Sequence, residues 1–150
     1  MAELHNKRAG LIQEHEAIRA QMGLLLASLA DSAQQWTSEK AQATLLKDQI
    51  RGYRWAMHDL QDGIRRHIEL DEHIIKMLPL SSAAESLLDE HEEIWREVDC
   101  AVRLADDAVE NELNQEELGE HRFALSEAVS RIRVLIESHT AKEDTLFRPL

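Results

Sequence analysis

Arg66-His67-Ile68-Glu69-Leu70-Asp71-Glu72 and Ser138-His139-Thr140-Ala141-Lys142-Glu143-Asp144 are two versions of one phrase. Each sets an imidazole and a carboxylate four residues apart. On a helix that spacing puts both on one face, about 6 Å apart along the axis. The flanking residues say which face. Working back from His67, apolar residues recur at Ile64, Leu60, Met57, Tyr53, Ile50 and Leu46, and the series resumes beyond Asp71 at Ile74 and Leu78. The steps alternate between four and three residues, the seam of a packed helix. The second phrase ends a similar series of Leu118, His121, Leu125, Ala128, Ile132 and Leu135, then His139, Glu143 and Leu146. Both phrases therefore place ionisable groups on an apolar seam, in the same order. A buried carboxylate is costly unless it is paired or binds metal.

The 150 residues allow a single domain, residues 1–150, with a sizeable core. Apolar residues make up 43% and charged ones 31%, within the range of a soluble globular chain. Five Gly and two Pro interrupt a sequence otherwise rich in helix formers, and alternating β-branched runs are absent, so the expected class is all-α. A net charge of −12 would repel a phosphate backbone, which argues against nucleic-acid binding. No apolar run approaches the roughly 20 residues needed to span a bilayer, so no membrane partner is expected. Met1 to Lys7 is polar and lacks a signal-peptide core. The lone Cys100 excludes an internal disulfide, and a cytoplasmic location is the default expectation.

Four helices emerge from the punctuation. The first starts within the opening ten residues, with a seam of Leu11, His15, Ile18, Met22, Leu25 or Leu26, and Leu29. Thr37-Ser38 is the expected connection. The second runs from about residue 40 to Leu78 and is stopped by Pro79; Gly52 and Gly63 inside it could mark a bend. Ser82 to Glu85 reads as a capping box opening the third helix. The third seam is Leu87 or Leu88, His91, Ile94 or Trp95, Val98, Val102, Ala105 and Val109. Asn114 to Glu117 is a second capping box, and the fourth helix runs to about Phe147. Short links between four helices imply an up-down-up-down antiparallel four-helix bundle.

A weak internal repeat supports this. Gln13-Glu14-His15-Glu16-Ala17-Ile18 resembles Asp89-Glu90-His91-Glu92-Glu93-Ile94, and the two opening phrases resemble each other. Two hairpins of nearly equal length suggest a pseudo-twofold. They bring His15, His67, His91 and His139, with Asp71 and Glu143, to one level near one end of the bundle.

Four imidazoles and two carboxylates around a bundle axis suffice for two metal ions. Each carboxylate can bridge both ions, and the histidines divide between them. Imidazole-rich sites suit iron, zinc, copper or nickel better than calcium or magnesium, and carboxylate bridges in a bundle point to iron first and manganese second. The bland readings cover most other candidates. His121 reads as a satisfied core histidine, and His5, His58 and His73 as surface residues. Glu72 and Asp144 read as solvent-facing, with orientation of a ligand histidine as the lesser role. Trp36, Trp55 and Trp95 read as packing, with Trp95 near enough to line the pocket, and Cys100 as a small core or boundary residue.

On these residues the chain resembles the hemerythrin-like, or HHE cation-binding, family. The match lies in His15 within Gln-Glu-His-Glu-Ala-Ile, His67 with Asp71-Glu72 ahead of Met-Leu-Pro-Leu, His91 within Asp-Glu-His-Glu-Glu-Ile, and His139 with Glu143-Asp144 ahead of Leu-Phe-Arg-Pro-Leu. The resemblance covers essentially the whole chain. It implies a non-haem di-iron centre of two iron ions, carboxylate-bridged and oxo- or hydroxo-bridged. It makes His15, His67, His91 and His139 terminal ligands and Asp71 and Glu143 the bridges. Oxygen-carrying members use a fifth histidine four residues after the third-helix ligand. Here that position is Trp95, which leaves a coordination position open. One bridge is the shorter Asp71 where Glu is more usual. The implied function is binding or sensing of a small diatomic ligand, oxygen or nitric oxide. The alternatives are a di-iron enzyme in nitric oxide or peroxide detoxification or in iron–sulfur-cluster repair, and a module holding zinc or manganese for structure.

Overall fold

The computed structural model describes residues 2–31, 39–79 and 81–147. They form four helices: α1 (Ala2–Asp31), α2 (Glu39–Ile75), α3 (Ser82–Glu110) and α4 (Gln115–Leu146). No strand occurs among the described residues. The chain is thus all-helical, and the helices pack as a bundle. Thr37, Ser38 and Trp36 lie outside the described residues, as does the side chain of His5. No described helix is long and apolar enough to cross a membrane.

The helix ends follow local chemistry. Asn114 caps α4 as expected, its Oδ1 accepting from the Glu117 amide at 2.8 Å, but the return contact to Glu117 Oε1, at 2.9 Å, comes from its side-chain amide in place of the backbone N–H of a capping box. The cap of α3 sits one residue earlier than the sequence suggests. Ser81, not Ser82, is extended (φ −142°, ψ 156°), and its hydroxyl accepts from the Ala84 amide. Helix α2 also stops early, at Ile75. A residue preceding proline is disfavoured in the α region, so Leu78 must leave the helix. The amides of Met77 and Leu78 bond the carbonyls of Ile74 and Ile75, a tightened turn ahead of Pro79.

The seams are buried as their period demands. One large cluster runs from Ile18, Met22 and Leu25 through Leu46, Ile50, Met57, Leu60 and Ile64 to Ile94, Val98, Ala101, Leu125, Ala128, Ile132 and Ile136. A smaller cluster of Leu11, Ile74, Ile75, Ala84, Leu87 and Phe147 lies beyond it. Between the two, in sequence on every helix, fall His15, His67 with Asp71, His91, and His139 with Glu143, all buried. The ionisable groups form one polar layer with apolar side chains above and below.

Neighbouring helices are tied by named pairs. Arg54 meets Asp106 and Glu110 across α2 and α3. Arg131 meets Glu97, and His121 meets Asp107, across α3 and α4. Thr140, buried beside His139, accepts from Arg19 at 2.7 Å and joins α1 to α4.

Several sequence expectations resolve or fail here. Of Ile94 and Trp95, Ile94 takes the buried seam position. Trp95 is half-buried, with the Arg65 guanidinium 5.5 Å over its ring. Leu87 rather than Leu88 is the buried member of its pair, and the expected seam residue Leu135 is only half-buried while its neighbour Ile136 is buried. Trp55 is not packing: it is 75% exposed, because it lies between Tyr53 and Met57 on the opposite face of α2. Cys100 is exposed rather than a core or boundary residue.

Candidate metal centre

The six residues singled out in the sequence all meet. His15 Nε2 lies 2.6 Å from Glu143 Oε2, His139 Nε2 2.5 Å from Glu143 Oε1, and His67 Nε2 3.4 Å from the same oxygen. On the other side, His91 Nε2 lies 2.7 Å from Asp71 Oδ2 and His139 Nε2 3.8 Å from it. Donor atoms of His67, Asp71, His139 and Glu143 fall within 4.8 Å of one another, a grouping that could hold a metal ion. His15 and His91 adjoin it from α1 and α3.

The donor set fits a metal on one further observation. Both oxygens of Asp71, both of Glu143, and Nε2 of His15 and of His67 are buried with no hydrogen-bond partner. The nitrogens sit at hydrogen-bond distance from the oxygens without being aligned as donor and acceptor. Buried polar groups normally find partners. Here lone pairs of several groups converge on shared space, which is what a cation requires. Among the described residues, the aligned contact between ligand candidates inside the layer is His91 Nε2 with His139 Nε2 at 3.0 Å.

Without a cation, protons must balance the buried charge. Burial alone would raise the Glu143 carboxyl, but four imidazoles around it win and hold it well below the usual carboxylate range. Burial alone would depress His139, but Asp71, Glu143 and Glu90 together raise it to about 10. His91 shifts upward likewise: burial opposes, and Asp71 and Glu143 prevail.

The outward nitrogen of each imidazole faces a second carboxylate. His139 Nδ1 is 2.9 Å from Glu90 Oε2, His15 Nδ1 3.7 Å from Asp144, His91 Nδ1 3.7 Å from Glu72, and His67 Nδ1 3.9 Å from Glu14. Glu72 and Asp144 are partly exposed, yet they face ligand histidines as well as solvent. Glu14 and Glu90 were missed in the sequence. The signal was the acid directly before the histidine in both copies of the repeat.

His121, on the seam of α4, belongs elsewhere. It is half-buried, between the Glu117 carbonyl oxygen at 2.9 Å and Asp107 at 2.7 Å, a satisfied histidine outside the polar layer. Burial lowers its pKa, but the Asp107 carboxylate and that carbonyl raise it further, so the net shift is upward. A raised folded pKa gives stability that is complete below the unfolded value, about 6.5, and lost as pH rises through the folded one. His121→Ala should therefore cost about 0.5 kcal/mol at pH 6 and less at pH 9, a screened surface pair. Equal losses of melting temperature at the two pH values would contradict this origin.

Fold and site together define a four-helix protein with a buried histidine–carboxylate cluster able to hold metal. Comparisons with models of known families, with curated proteins and with solved structures found no match.

Proposed function

We propose that the chain is a metal-binding protein of hemerythrin-like type, in which His15, His67, His91 and His139 with Asp71 and Glu143 hold two metal ions, iron foremost. The convergence of orphaned buried donors carries the reading. The doubling of that donor set over the two hairpins supports two ions rather than one. Nitrogen and oxygen donors together suit a first-row transition metal. The paired contacts support an up-down-up-down bundle. Between α3 and α4, residue 90 meets 139, 97 meets 131 and 107 meets 121, so the two helices run in opposite directions. Residues 54 and 106, and 71 and 91, relate α2 to α3 in the same way.

The proposed role is to bind or sense a small diatomic ligand, oxygen or nitric oxide. The bound iron would supply the redox and ligand-binding chemistry. The protein's own residues orient the donors and keep water away from them. Trp95 supplies no fifth imidazole, so only four are present in the layer.

Metal analysis after iron supplementation tests the reading: two ions per chain are expected, and one tightly held ion or none would overturn it. Chelation should lower the melting temperature by roughly 5 °C, since a ligand that binds only the folded state stabilises it. Helical circular dichroism should persist, because the large apolar cluster does not involve the layer. A coil spectrum after chelation would contradict this. Stopped-flow spectra of the reduced, iron-loaded protein with oxygen and with nitric oxide test the ligand role, and no spectral response to either gas would end it.

A further inference from the structure

The cluster is close to twofold symmetric. The ring pairs His15/His67 and His91/His139 have the same centroid separation, 4.7 Å, and the same interplanar angle, 62°. His15 to Glu143 and His91 to Asp71 match at 2.6 and 2.7 Å. The outer contacts of His15 with Asp144 and of His91 with Glu72 match at 3.7 Å each.

The symmetry breaks in two places: inside the layer, where Glu143 approaches all four imidazoles and Asp71, among the described residues, pairs only with His91 and His139, and at one pair of outer carboxylates. Glu90 Oε2 makes a hydrogen bond with His139 Nδ1 at 2.9 Å, and its other oxygen accepts from the Lys142 ammonium. Its counterpart, Glu14 Oε2, is 3.9 Å from His67 Nδ1, and both of those buried atoms lack a hydrogen-bond partner. The sequence supplies the reason. The residue before Glu143 is Lys142, whereas the residue before Asp71 is Leu70. One outer carboxylate is anchored by a cation and the other is not.

A carboxylate on the outward nitrogen fixes the tautomer and ring orientation and strengthens the inward nitrogen as a donor. His139 has that support in place, whereas His67, 3.9 Å from Glu14, lacks it. A second observation points to the same half. A cavity of about 290 Å³ between α1 and α4 reaches His15 and is lined also by Arg8, Leu11, Arg19, Asp144 and Phe147.

Resting on the two-ion reading, we infer that the two halves of the site are unequal. The His91/His139 half, positioned by Glu90 and Lys142, holds its ion tightly. The His15/His67 half is the weaker position, loaded and emptied through the α1–α4 cavity.

The test is titration of the metal-free full chain with Co(II), followed by calorimetry and visible absorbance. Two ions should bind in two steps at least tenfold apart. Glu90→Gln keeps the volume and removes the charge. It should weaken the tighter step by roughly 10–100-fold and move the other by less than about threefold. Lys142→Met keeps the Glu90 carboxylate and should weaken the same step by a smaller factor. Glu14→Gln should move either step by less than about threefold. Metal-free circular dichroism of all three at the titration temperature should match the parent, which separates positioning from loss of the fold. Equal affinities in the parent, or a loss in Glu14→Gln as large as in Glu90→Gln, would overturn this inference and leave the two-ion reading standing. A parent that takes up fewer than two ions would overturn that reading and this inference with it.

Discussion

Replacing Glu143 with Ala is expected to cost the cluster at least one of its two proposed ions while leaving the helices in place. Among the described residues, Glu143 is the one side chain that approaches all four imidazoles, at 2.6 Å from His15, 2.5 Å from His139, 3.4 Å from His67 and 3.8 Å from His91. Its two oxygens point to different histidines, so its loss damages both halves of the site. Metal content should fall from two ions to at most one per chain by elemental analysis. Helicity should be unchanged, because Ala is a better helix former than Glu and the apolar clusters are untouched. Glu143→Gln keeps the volume and gives up the anion, so it isolates charge from packing. Two ions per chain in Glu143→Ala would remove Glu143 from the ligand set.

The second large effect lies away from the chemistry. Leu60 is fully buried in the large cluster, on α2 between Met57 and Ile64. Leu60→Ala removes apolar surface and leaves a cavity that a close-packed interior fills only in part. We expect a loss of about 3–4 kcal/mol, which for a domain of this size lowers the melting temperature by roughly 10 °C. Metal stoichiometry should be that of the parent, since Leu60 lies outside the polar layer. Leu24, 71% exposed on α1, serves as control: Leu24→Ala should move the melting temperature by no more than about 1–2 °C. Comparable shifts for the two variants would mean that the seam does not carry the stability.

The seam was legible because three-four periodicity is a geometric demand of one helix packing on others. It placed Met57, Leu60, Ile64, Ile132 and the six site residues in the interior from residue spacing alone. What it left open were choices between adjacent residues, such as Ile94 and Trp95, which differ by 100° around the axis and are decided by the neighbouring helix. Trp55 and Cys100 failed for a related reason, because apolar character does not bury a residue that its own helix turns outward. Glu14 and Glu90 stayed hidden because a residue next to a seam position points sideways. On its own helix it looks like any solvated acid. Only the partner helix, which brings His67 or His139 alongside, gives it a second neighbour. The Ser81 cap was missed by one position because two adjacent serines offer the same side chain, and backbone conformation alone separates them.

The place of Glu143 along α4 sets how the site can open. The helix ends at Leu146, and the Phe147 amide closes it by donating to the Glu143 carbonyl at 2.8 Å. The central carboxylate thus sits in the final turn, where helices fray first. Phe147, buried among Leu11, Ile74 and Leu87, is what pins that turn down. Fraying of a single turn would carry Glu143 away from its imidazoles while everything from Ile18 to Ile136 stayed folded. The lifetime of an ion held there would then be governed by local opening of one helix end, an event far more frequent than global unfolding. The rate of ion release would rest on Phe147 and its neighbours, and most of the thermal stability of the fold on the long apolar cluster.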